Sequence, residues 1–91
     1  MYTMEPRPTR LEVRDRLGSL ISEIAGVPSD RMSEGATIDD ELQMNSVAFV
    51  ELQVAIEEEY SIQIDPIAVV ELNRFGSIVD YIHRLATGGS P

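Results

Sequence analysis

Few side chains in this 91-residue chain have the chemistry to act as nucleophile, base or metal ligand. There is no cysteine and no lysine, and His83 is the single histidine. Disulfides, thiolate metal sites and protein thiol chemistry are therefore excluded, and any sulfur the protein uses must come from outside the chain. A nucleophile and base dyad could be assembled only from Ser46 and His83, which the pattern puts on different helices. His83 falls off the apolar face of its helix and reads as solvated. The acidic run "TIDDE", residues 37–41, lacks the alternating oxygen ligands and the glycine of a calcium loop, and no Gly-rich phosphate cradle follows a strand. No catalytic or metal site is expected, and the protein is not expected to be an enzyme. What remains is Ser46, at the front of "NSVAFVELQVAIEEEY", either as the polar residue that starts a helix or as a hydroxyl held out for use.

The elements that would position Ser46 are legible from spacing. Thr9 and Glu12 form a capping box, Val13, Leu17, Leu20 and Ile24 repeat at helical intervals, and Gly26 is placed as the stop. Residues 27–45, with Pro28 and Gly35, make a long connection that Val27, Ile38, Leu42 and Met44 pin to the core; a loop of that length tends to be functional. A second helix spans 46–60. Ile62 and Ile64 alternate in an extended connector, and Asp65 before Pro66 starts a short helix that ends near Asn73. Arg74, Phe75 and Gly76 are expected to turn the chain, with Ser77 and Asp80 capping a last helix whose inward face is Ile78, Val79, Ile82 and Leu85. The expected architecture is all-α, a small four-helix bundle of three main helices and one short one. Residues 1–8 read as a flexible leader, 9–86 as the folded domain and 87–91 as a loose tail.

Net charge is −9, and it is unevenly placed. Residues 1–31 balance five arginines against five acids, whereas residues 32–91 hold eleven acids and only Arg74 and Arg84. Nucleic acid and anionic membrane surfaces are disfavoured as partners, and a basic protein is favoured. No stretch approaches the roughly 20 apolar residues of a membrane span, and the start has no signal-peptide pattern, so a cytoplasmic location and a monomer are expected. On the second helix Phe49, Leu52, Ile56 and Tyr60 fall within an arc of about 80° as a core face. Val47, Val50 and Val54 form a second strip edged by Glu51, Glu57 and Glu58, the pattern of a transient docking surface. The same valines could instead be covered by a loop or short helix.

These residues resemble a known family. Asn45-Ser46-Val47, Val50-Glu51-Leu52, Ala55-Ile56, Glu57-Glu58-Glu59-Tyr60 and the Ile62–Ile64 connector match, without a gap, the region around the modified serine of acyl carrier proteins and peptidyl carrier proteins. The layout matches from about Thr9 to Ala86, including the long first loop and "FGSIVDYI". The resemblance implies that Ser46 bears a covalent 4'-phosphopantetheine arm delivered from coenzyme A by a phosphopantetheinyl transferase. The arm's thiol would carry an acyl or aminoacyl thioester. It further implies docking through Val47, Glu51, Val54 and Glu58 to adenylating, acyl-transferring or condensing enzymes with basic patches. Departures occur at Asn45, where Asp is usual, at Gln43, where Gly is frequent, and at Ala48, where an acid is common. They point away from a primary fatty acid synthase and towards a free-standing carrier of a polyketide or nonribosomal peptide pathway. The alternative is a carrier-like interaction module that keeps the bundle and acidic face but is never loaded.

Overall fold

The computed structural model describes residues 7–40, 42 and 44–88. Helix α1 spans Arg10–Ala25, a single 3-10 turn covers Ser29–Arg31, α2 spans Ser46–Tyr60, α3 spans Pro66–Leu72 and α4 spans Phe75–Ala86. Among the described residues there is no strand, only an isolated bridge between Thr37 and Arg74, and no helix is long and apolar enough to cross a membrane. The architecture is the expected small all-α bundle.

Local signals start α1. The Glu12 amide donates to Thr9 Oγ1 at 3.1 Å and the Thr9 amide donates to Glu12 Oε1 at 2.8 Å, so two amides that would otherwise lack acceptors are satisfied reciprocally. Gly26 ends the helix in the left-handed region at φ 72°, where a side chain would be strained. Val13, Leu17 and Leu20 are buried as their spacing predicts, and Ile21 joins them; Ile24 is half-buried. The short helix α3 likewise begins as expected, with Asp65 Oδ1 accepting the Ile67 amide and Pro66 in the first turn.

The last helix begins earlier than its local pattern predicts. Phe75 and Gly76 are helical and buried rather than part of a turn, and Ser77 does not cap. The reason is tertiary. The Phe75 amide donates to the Ala36 carbonyl and the Gly76 amide to the Glu34 carbonyl, both at 2.8 Å, so the first loop fills the role of a cap side chain. Gly76 is required there, because a Cβ would come within 3.0 Å of the Glu34 carbonyl oxygen. Asp80, freed from capping, pairs with Arg10.

The same loop is more deeply embedded than its composition suggests. Met32, Ala36, Ile38 and Leu42 are all buried, while Val27 and Met44 pack partly against the core. The Ile38 amide donates to the Asn73 carbonyl at 2.9 Å, and Arg74 reaches the Gly35 carbonyl at 3.0 Å, so the loop is strapped to the junction of α3 and α4. On the outside, Glu34 accepts from Arg10 at 2.6 Å and from Arg14 at 3.2 Å. The hydrogen bond from Arg10 holds the Glu34 carboxyl below the ordinary glutamate value of 4.5. A lowered pKa in the fold gives stability that is present above that value and is lost as pH falls through the folded one. The expected result is a melting temperature that falls more steeply for the natural chain than for Glu34→Gln as pH drops from about 5 to about 3. Added salt narrows the difference, since the network is exposed.

Candidate functional site

Ser46 is exposed at the first position of α2, and it does not cap that helix. The cap is Asn45, whose Oδ1 accepts the Ala48 amide at 2.8 Å. An Asp at this position would cap equally well, so Asn45 keeps the helix start while removing a charge beside the Ser46 hydroxyl. Asn45→Ala is expected to cost about 1 kcal/mol of stability, and Asn45→Asp to recover it with a few tenths more from the helix dipole, as read from urea denaturation midpoints. The amides of Ser46 and Val47 have no acceptor among the described residues. The exposed hydroxyl therefore sits where the positive end of α2 favours an anion.

Ser46 borders a groove of about 330 Å³ between the first loop, α2 and α3. Ile38, Met44, Phe49, Val50 and Val70 supply its apolar lining; Asp39, Asn45 and Asn73 supply the polar part. Asn73 sits in the left-handed region at φ 55°, and its Oδ1 accepts the Asp39 amide at 3.4 Å, which fixes the groove's far wall. His83 is half-buried on α4 and is not part of this lining, so Ser46 has no imidazole base beside it. Beneath the groove lies a seam between Phe49, Ile56, Val69 and Ile82 with room for about 10 Å³, too small for a chain of any length. Phe49 lines both spaces and is half-buried, so it partitions groove from interior rather than belonging wholly to the core.

Helix α2 carries two outward features. Val47, Val50 and Val54 are exposed at 68%, 56% and 47%, with no loop among the described residues over them. The sequence left open whether Val50 belongs partly to the core; it does not. Ala48 is buried, so it is a packing position and not a lost surface acid. Tyr60 is only half-buried. Within the glutamate triplet the roles divide: Glu57 Oε2 accepts the Ile64 amide at 2.8 Å, Glu59 pairs with Arg16 at 3.0 Å, and Glu58 stands free in solvent with Glu51. The pattern in the sequence missed a further apolar contribution from α3: Val70, 62% exposed, lines the other side of Ser46's groove, and Ile67 on the same helix is 68% exposed. Their short helix has too few turns for a period to separate an inner from an outer face.

Over 71 residues the chain is 34% identical to the acyl carrier protein of Acidothermus cellulolyticus, covering 78% of this chain and 84% of that protein. The family described as the phosphopantetheine attachment site matches residues 15–82. The chain belongs to the acyl carrier protein family. It is also 29% identical to the acyl carrier protein of Thermobifida fusca, over 80% of this chain and 92% of that one. Identity to the Thermotoga maritima acyl carrier protein is 30%, over 84% and 94% respectively. As a member of that family the protein is a carrier and not an enzyme, and its prosthetic group is phosphopantetheine. An exposed hydroxyl at a helix N-terminus, beside unfilled amides and a groove of mixed polarity, fits a group joined through a phosphodiester.

Proposed function

We propose that Ser46 is the attachment point of the 4'-phosphopantetheine arm and that residues 9–86 form the carrier unit, working in the cytoplasm as a monomer. The observation that carries this reading is the position of Ser46: exposed, first in α2, relieved of capping by Asn45 and facing the groove. When bound, the group supplies a thiol that holds cargo as a thioester, which suits a chain with no cysteine of its own. Among the described residues that line the groove Asp39 is the one ionisable side chain, and His83 is not part of the lining.

Val47, Glu51, Val54 and Glu58 form the proposed docking face for the transferase and for adenylating, acyl-transferring or condensing enzymes. All four are exposed, and their valine centre with a carboxylate edge suits partners with basic patches. Glu51→Lys is expected to raise the transferase's KM by about 3- to 10-fold with kcat little changed, and the difference should shrink at high salt.

For the pathway, the reading is a free-standing carrier of polyketide or nonribosomal peptide assembly. Two features support it. Asn45 departs from the usual acid before the serine, and the closed seam leaves the interior no space for a long acyl chain. The test is mass spectrometry of the Ser46 peptide from protein purified from its native source. A short acyl, polyketide or aminoacyl group on the arm supports the reading, a long saturated acyl chain overturns the pathway, and a bare serine overturns the carrier role.

A further inference from the structure

We infer that the groove between α1 and α2 is a second half of the docking site, built to take an apolar anchor from a basic partner helix, with Glu23 of α1 as an orienting contact. This rests on the proposed docking role of α2. The groove has a volume of about 460 Å³, room for a few large side chains, and it is open to solvent. Leu20 and Ile24 of α1 and Ala55 of α2 make its apolar floor; Val54 stands on its wall, 47% exposed. Its rim carries Glu23, Glu51 and Glu58, and no basic side chain lines it.

These three carboxylates differ from their neighbours in having no partner among the described residues. On α2, Glu57 is committed to the Ile64 amide and Glu59 to Arg16. On α1, Glu12 closes the capping box and Asp15 pairs with Arg14, which leaves Glu23 as that helix's one unengaged acid. The acids with internal work are elsewhere, and those on the groove are free to meet a cation. Glu51 and Glu58 lie two turns apart, a rise of about 10 Å, which matches basic residues two turns apart on a partner helix whose apolar face fills the floor between them. A second copy of this chain is disfavoured as occupant by its own charge of −9.

The groove shares only Val50 with the groove at Ser46. A partner helix seated between α1 and α2 therefore leaves the attachment side uncovered, so docking and delivery occur on separate faces of one helix. Val47, outside this groove, belongs to the Ser46 end of the surface.

The probe is an 18-residue amphipathic peptide with leucines at i, i+4 and i+7 flanked by arginines two turns apart, titrated into the full-length chain by NMR. A scrambled peptide of the same composition is the control. The expected result is amide shift changes at Leu20, Glu23 and Ile24 as well as at Val54, with Kd weakened about 5-fold by Glu23→Lys. Glu71→Lys, which changes an exposed acid on α3 outside the groove, should leave Kd within about 2-fold. Shifts confined to α2 and α3, or equal losses from Glu23→Lys and Glu71→Lys, overturn the inference. If Glu51→Lys weakens binding and Glu23→Lys does not, docking through α2 stands and the α1 half fails; if neither does, both fail.

Discussion

Ser46→Ala is expected to abolish arm attachment altogether. After incubation with coenzyme A and a broad-specificity phosphopantetheinyl transferase, intact-mass measurement should show one added arm on the natural chain and none on the variant. The result is expected to be clean because the substitution removes little else. Ser46 is exposed, and the helix start is held by Asn45, so the change in stability should stay within about 0.5 kcal/mol and the circular dichroism melt should overlay that of the natural chain. An unmodified natural chain would overturn the carrier role, and an alanine variant that still gains the arm would show that the attachment point lies elsewhere.

The largest expected effect on stability is at Phe75. Its ring is 1% exposed, is packed near Gly18 of α1 and lies with the Arg14 guanidinium 5.9 Å above its centroid. Phe75→Ala removes about 3–5 kcal/mol, the usual cost of leaving a cavity where a buried ring was. Against a total of about 5–15 kcal/mol for an ordinary small domain, that leaves a large unfolded fraction at room temperature or close to it. Phe75→Leu, which keeps most of the volume, should cost less than about 1.5 kcal/mol. Urea denaturation of the two variants distinguishes these outcomes. A loss under about 1 kcal/mol from the alanine variant would mean that the start of α4 is not part of the core.

These two positions show the two ways in which the sequence could be read. Ser46 was visible because its surroundings are local: a polar residue at the front of an apolar period, within a run of residues that resembles a known attachment region. The same holds for the Thr9–Glu12 box and the Asp65–Pro66 start, where donor and acceptor lie within three residues of each other. Phe75 was hidden because its helical state depends on the carbonyls of Glu34 and Ala36, about 40 residues earlier. Ser77 and Asp80 offered a plausible local cap, but Asp80 is engaged by Arg10 instead. Met32 and Ala36 were missed for a related reason: in a segment without periodicity, nothing local marks which side chains point inward.

Within the candidate site the division runs through single helices. That α2 would be amphipathic, acidic and led by a serine follows from residue order, since helix geometry alone assigns side chains to faces; that Asn45 caps it and leaves Ser46 unencumbered was decided by the structure. Which of three consecutive glutamates stays free was decided by what the fold brings to each, the Ile64 amide to Glu57, Arg16 to Glu59 and open solvent to Glu58. The groove at Ser46 and the groove beside α1 are likewise products of packing. Each has walls from segments distant in the chain, and no one-dimensional pattern records the space between them. The sequence by itself determined the helices, the charge and the serine at the front of α2, because these depend on residue order and on contacts within a few residues. The tertiary structure decided where α4 begins, which acids are free and where the hollows lie, because those depend on groups brought together from far apart.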